Sequence, residues 1–328
     1  MRIMPLDPAF RTVLDTLAEA GALPLVRDGD PVATREHYRA LAVARRGPDF
    51  VPEQVAAVAD DVLDGPGGGI PVRTYTPADD RGALVLYLHG GGWVTGDLET
   101  HDPVCRHVAN ATGAVLVAVD YRRSPEHPHP APLEDAWAAL LAVAGRHPDR
   151  PLGVAGDSAG ANLAAGLALR ARDRGGPVLA GQLLFYPPLD PDPATPSFQE
   201  NAEGYFLTAA DMRWFWAQYL AGPEPAGPEI APLGTATPAD PSGVAPAVVA
   251  TAEFDPLRDE GRDWAGALAA AGVPVSTVEG PGLVHGFVAF LGAVPAAERV
   301  VAEALDRFAA LLGTSAASHA RDTGDTVR

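Results

Sequence analysis

The chain has 328 residues, 47% of them apolar and 20% charged, and a net charge of −18 in which all 24 basic residues are arginine. That composition is ample for the core of one large α/β domain or two small ones, contains no stretch of membrane-spanning length, and argues against nucleic acid and anionic membranes as partners. Met1–Phe10 lacks the basic start and apolar core of a secretory signal, and the single cysteine, Cys105, allows no intrachain disulfide, so a cytoplasmic home is expected.

Residues 7–22 place Phe10, Val13, Leu14 and Leu17 on one helical face, and a second helical stretch runs from about 32 to 46. Together they predict a helical cap segment over residues 1–54. Val55–Asp64 and Ile70–Thr76 read as strands around the turn Gly65–Gly69. Strands near 83–88, 114–120, 151–155, 179–186, 246–254 and 273–278 then alternate with helices near 100–112, 133–146, 159–173, 258–271 and 295–311. Such alternation predicts an α/β fold with a mostly parallel central sheet and helices on both faces. Its core spans 55–187 and 246–312. A proline-rich excursion, 188–245, carries the aromatic helix Asp211–Leu220 and is expected to be a cap insertion, because so long a loop inside a domain is usually functional. Residues 313–328 are polar and expected to be a disordered tail. No internal repeat is visible.

The chemistry concentrates at Gly156-Asp157-Ser158-Ala159-Gly160, between an apolar strand and an alanine-rich helix. A serine at the apex of such an elbow is held clear of the sheet, at a helix N-terminus that favours developing negative charge. With a nucleophile on this elbow the partners follow in chain order, acid before histidine. Only His285 and His319 lie late enough, and His319 belongs to the polar tail, which leaves His285 in the expected loop Gly280–Phe287. The strand 246–255 ends on Asp255, where active residues of open α/β sheets sit. Glu253, on the same side of that strand, is the alternative acid, while Asp259 and Asp263 read as first-turn or solvated charges of the next helix. The apolar strand Ala83–Leu88 runs into His89-Gly90-Gly91-Gly92-Trp93, a loop suited to binding an acyl oxyanion through backbone N–H groups. Gly91, Gly92 and Ala159 are the expected donors. Cys105 reads as buried packing, and His101 and His107 do not make a metal set.

With these motifs in place the chain resembles the bacterial hormone-sensitive-lipase family of carboxylesterases. The resemblance covers roughly residues 55–312. It includes the HGGGW segment with Gly96-Asp97 and His101-Asp102, Asp120-Tyr121-Arg122 with Pro125-Glu126-His127 and Pro130, and Gly156–Asn162. Tyr186-Pro187, Gly204–Thr208, Asp255–Glu260 and His285-Gly286-Phe287 complete it. It implies an α/β-hydrolase fold, a two-step acyl-enzyme mechanism and short or medium acyl esters as substrates. The chain departs from the family pattern at Arg123-Ser124 and Gly280–Val284, which bears on substrate choice rather than reaction class.

The resulting expectation is a serine carboxylesterase using Ser158, His285 and Asp255, with a small-molecule ester as partner and no metal or organic cofactor. Trp93, Tyr205, Phe206, Trp214, Leu257 and Phe287 are the candidate substrate-pocket residues. An amidase or deacetylase of an acylated natural product would use the same residues, and a ligand-binding hydrolase fold without chemistry is a third reading. The oligomeric state, a homodimer included, stays open.

Overall fold

The computed structural model describes residues 5–46, 50–222, 226–234 and 238–315. All but the first three residues of the tail expected from 313 onward lie outside the described residues. Two helices lead the chain, α1 (Pro8–Glu19) and α2 (Pro31–Arg46). α1 begins where the sequence answers an orphan amide: Asp7 accepts from the Ala9 N–H, and Pro8, which has no N–H, opens the first turn. The strands β1 (Ala57–Gly65), β2 (Gly68–Thr76) and β3 (Ala83–Leu88) follow, then α3 (Leu98–Thr112), β4 (Ala114–Val119) and α4 (Ala131–Arg146). Next come β5 (Leu152–Asp157), α5 (Ala159–Asp173) and β6 (Leu179–Phe185). The excursion contains α6 (Pro196–Glu200) and α7 (Ala209–Tyr219). β7 (Ala247–Phe254), α8 (Arg258–Ala270), β8 (Val275–Val284), a 3-10 turn (Phe287–Phe290) and α9 (Pro295–Leu312) close the fold.

Among the described residues the strands form one eight-stranded sheet in the order β1-β2-β4-β3-β5-β6-β7-β8. The β1–β2 and β2–β4 pairs are antiparallel and all the others are parallel. β3 and β5 are buried at every residue, as apolar runs covered on two faces must be. Connection handedness explains the layering. β3 crosses to β4 in one direction along the sheet, whereas β4 crosses to β5 and β5 to β6 in the other. Right-handed crossovers therefore put α3 on one face and α4 and α5 on the opposite one. Accordingly α3 packs on α9, and α4 on α5. The same reversal makes a topological switch between β3 and β5, where the loops leaving their C-terminal ends diverge and open a crevice. The HGGG loop and the serine elbow are those two loops.

β8 runs further than expected. Residues 280–284 read as loop because Gly280-Pro281-Gly282 resembles a turn, yet they form the second half of the strand. A bulge absorbs them: the pairing register shifts between Ala252 and Phe254, and Gly282 adopts a φ of 73°. The Gly282 N–H donates to Glu253 Oε2 (2.8 Å) and its carbonyl accepts from the Asp7 N–H (2.9 Å), so both backbone groups freed by the bulge are used. Pairing resumes with Phe254 opposite Val284, which delivers His285 just past the strand end.

Candidate active site

β5 ends at Asp157 and α5 starts at Ala159, so Ser158 alone turns the chain, with φ 52° and ψ −123°. A residue with a Cβ rarely adopts that conformation, and the surroundings enforce it. The Ser158 N–H donates to the Phe185 carbonyl (2.9 Å), and its own carbonyl accepts from the Asn162 N–H (3.0 Å). Two positions on, α5 runs so close to β3 that a Cβ on Gly160 would overlap the Leu88 carbonyl. The elbow presents the Ser158 hydroxyl to His285 Nε2 at 3.0 Å, and His285 Nδ1 lies 2.7 Å from Asp255 Oδ2. With the proton on Nδ1, the imidazole donates to the carboxylate and accepts from the serine. Asp255 is fully buried, and its other oxygen accepts from the Leu257 N–H at 2.9 Å. A buried carboxylate with both oxygens engaged holds one orientation.

The other carboxylates considered for this position stand elsewhere. Glu253 is turned to the β8 bulge. Asp259 lies in the first turn of α8, as expected, where it also accepts from the Ser197 N–H at 2.8 Å and pairs with Arg258, tying α6 to α8. Asp263 is exposed. His319 lies outside the described residues.

The glycine loop is held against the elbow by the residue preceding the serine. Asp157 Oδ1 accepts from the Gly90 N–H (3.0 Å) and from the Tyr87 hydroxyl (2.8 Å), and His101 Nε2 lies 3.5 Å away. Burial pushes the Asp157 carboxyl up, but the neighbouring His101 and the Tyr87 hydroxyl outweigh it and leave the group below the ordinary value. His89 stacks on Tyr121 with ring centroids 4.3 Å apart, and its Nδ1–H donates to the Gly90 carbonyl at 2.8 Å. Burial lowers the His89 pKa from 6.5 to about 3, so this imidazole is neutral. Held in this way, Gly91 takes a φ of 118° and its carbonyl turns inward to accept from the Val94 and Thr95 amides. The N–H groups of Gly91, Gly92 and Ala159 find no acceptor among the described residues. These three donors border the serine, and that of Ala159 opens α5 with the helix dipole behind it.

A cavity of about 40 Å³ lies over Ser158. Gly91, Gly92, Tyr186 and His285 form its floor, with Leu25 from the α1–α2 loop and Phe206, Met212 and Phe215 from the excursion above. Of the six residues expected to line a pocket, only Phe206 does so here. Trp93 is buried against Tyr219, rings stacked 4.3 Å apart, and Phe287 packs edge-on to Tyr186 at 4.9 Å. Leu257 is fully buried, Tyr205 lies against Phe254, and Trp214 lies edge-on to Phe215 on the flank of α7. Sequence reading missed Tyr38 and Arg45 of α2, which also line the cavity. Their spacing of seven puts both on one helical face, and that was the available signal.

A family profile described as alpha/beta hydrolase fold matches residues 85–289, a span that contains the glycine loop, Ser158, Asp255 and His285. The chain belongs to this family. Within it, the matching relatives place the chain in the hormone-sensitive-lipase branch. Esterase LipI of Mycobacterium tuberculosis is 42% identical over 303 residues, covering 88% of this chain and 91% of the relative. An ethyl acetate hydrolase of Pseudomonas putida is 38% identical over 236 residues, covering 68% of this chain and 72% of the relative. Among solved structures, a hyperthermophilic esterase from the archaeon Pyrobaculum calidifontis superposes with a TM-score of 0.83 at 40% identity, covering 94% of this chain and 98% of that one. Among the described residues no helix is long and apolar enough to cross a membrane.

Proposed function

We propose that the protein is a serine carboxylesterase that hydrolyses short- to medium-chain carboxylic esters through an acyl-enzyme. The observation that carries this reading is the unbroken hydrogen-bonded run from Ser158 through His285 to Asp255, beside three unengaged backbone donors. In this mechanism Ser158 Oγ attacks the ester carbonyl while His285 Nε2 takes its proton, and Asp255 fixes the tautomer and stabilises the imidazolium. The N–H groups of Gly91, Gly92 and Ala159 receive the oxyanion. The C–O bond to the alcohol breaks as His285 returns the proton to the leaving oxygen. Water then attacks the acyl-serine with His285 again as base, and the carboxylic acid leaves.

The small space over Ser158 supports a short acyl chain, and the name of the Pseudomonas relative points the same way. Residues 1–54 and 188–245 act in this reading as a two-part cap on the core at 55–187 and 246–312. The contact of the Val26 N–H with Asp211 Oδ1 (3.1 Å), which joins the two parts, supports it. A cytoplasmic setting belongs to the same proposal and is supported by the lone, buried thiol of Cys105.

The experiment is hydrolysis of p-nitrophenyl esters from acetyl to palmitoyl, with Ser158→Ala in parallel. Activity is expected to peak at short chains and to fall about a thousandfold or more in kcat in the variant. Wild-type-like turnover by Ser158→Ala would overturn the nucleophile assignment, and a maximum at palmitoyl would overturn the short-chain reading.

A further inference from the structure

Arg45 stands where two spaces meet. Together with Tyr38, His101 and Ala289 it lines both the cavity over Ser158 and a larger cleft of about 750 Å³ that opens between α2, α3 and the start of α9. Its guanidinium lies 5.1 Å from the Phe290 ring centroid and 6.0 Å from that of Phe206, and the Tyr38 phenol oxygen accepts a hydrogen bond from it. The neighbouring arginines of this region find a carboxylate or carbonyl partner: Arg35 pairs with Glu126, Arg46 donates to the Glu99 carbonyl, and Arg123 pairs with Asp120. Arg45 forms no ion pair with a carboxylate among the described residues, and the influences on it come from Tyr38, Tyr186 and Arg46. The C-terminal dipole of α2 and the two aromatic faces ease the charge without supplying an anion. Burial acts against both neighbours, lowering the Arg45 pKa and raising that of Tyr38 to about 12. The phenol thus stays protonated as a donor, and arginine is never deprotonated near neutral pH.

We propose that Arg45 and Tyr38 form a specificity subsite for a carboxylate carried by the ester substrate. This rests on the hydrolase reading above and extends it. A substrate whose carbonyl sits at Ser158 and whose remainder occupies the larger cleft must pass the guanidinium and the phenol. In a partly dry setting a carboxylate is the acceptor best matched to the phenol O–H and to the guanidinium N–H groups that Tyr38 leaves free. The preferred substrates are therefore esters that carry a free carboxylate rather than simple alkyl esters, in a chain whose net charge of −18 makes a binding site for anions unexpected.

The test compares charged and neutral esters of matched length. Monoethyl adipate against ethyl hexanoate places the carboxylate on the acyl side, and 4-acetoxybutyrate against butyl acetate places it on the alcohol side. Wild type is expected to favour the charged member of one pair by about tenfold or more in kcat/KM, and the favoured pair identifies the side. Arg45→Gln should collapse that ratio and Arg45→Lys should keep part of it. No preference in either pair, or a preference that survives Arg45→Gln, overturns the subsite. p-Nitrophenyl acetate separates the two layers of inference, since failure to turn it over removes the hydrolase reading and leaves the subsite to be judged by binding. Calorimetry with monoethyl adipate and 4-acetoxybutyrate on Ser158→Ala, with and without Arg45→Gln, then decides. Binding of either probe that is lost with the arginine upholds the subsite, and binding of neither, or binding indifferent to the arginine, removes it.

Discussion

Asp157 lies next to the serine in sequence, yet its side chain acts on the loop across the crevice. It is the acceptor for two buried donors, the Gly90 amide and the Tyr87 hydroxyl. Asp157→Ala would strand both, at about 1–3 kcal/mol each, and release the glycine loop whose donors need fixed positions. Asp157→Asn keeps an oxygen in place and is expected to retain most of the stability and turnover that Ala loses. Urea unfolding together with kcat on p-nitrophenyl acetate measures both. Equal losses in the two variants would assign the effect to the charge facing His101 instead. His89 contributes a pH dependence. Its folded pKa of about 3 lies below the ordinary 6.5, so the unfolded chain takes up the proton first as the solution is acidified. Its contribution to stability is complete above about pH 6.5 and is lost progressively towards pH 3. His89→Phe should keep the stack on Tyr121 and give up about 1 kcal/mol for the bond to Gly90. The variant's Tm should also fall less steeply with pH across that window, and a profile parallel to wild type would refute the assignment.

The elements differ in how openly the sequence declares them. β3 and β5 were legible because uninterrupted apolar runs between turn residues have few other uses, and the hairpin β1–β2 because its glycine turn is local. Ser158, His285 and Asp255 were legible for a different reason: chain order and strand ends narrow the candidates before any distance is known. The far half of β8 was not legible, since Gly280-Pro281-Gly282 has the composition of a turn and becomes a bulge only because Glu253 and Asp7 meet its backbone groups. The pocket wall was hidden likewise. Which aromatic of the excursion faces Ser158 depends on how α7 rolls against the core, and α7 is apolar on more than one side, so Trp214 and Phe215 could not be told apart. The start of α7 tests the importance of that roll. Thr208 and Asp211 form a capping box there, each side chain bonding to the other's backbone N–H. Thr208→Ala should cost about 1 kcal/mol in chemical denaturation. Because Met212 and Phe215 ride on this helix, it should also raise KM more than it lowers kcat. A fall confined to kcat would place the effect on the serine instead.

Over the whole molecule, electrostatics is dominated by the excess of acid. Its surface carries many Arg–carboxylate pairs, such as Arg73 with Asp60 and Arg262 with Glu279, but exposed pairs contribute little each. Self-repulsion at a net charge of −18 acts over the entire surface. Raising the ionic strength from about 0.01 M to about 0.15 M shortens the screening length from about 30 Å to about 8 Å, and should therefore raise the Tm. A fall over the same range would show that the pairs outweigh the repulsion.

The left-handed turn at Ser158 sets the interests of the reaction against those of the fold. A Cβ at that φ and ψ costs about 1–3 kcal/mol, and Ser158→Ala inherits the strain because it keeps the Cβ. Ser158→Gly removes it, against about 0.4–1 kcal/mol of extra freedom in the unfolded chain. Of these two variants, both expected to be inactive, the glycine form should melt at the higher temperature. The native protein would then be a catalyst that has accepted a shorter thermal lifetime than its own sequence, changed at one residue, could reach.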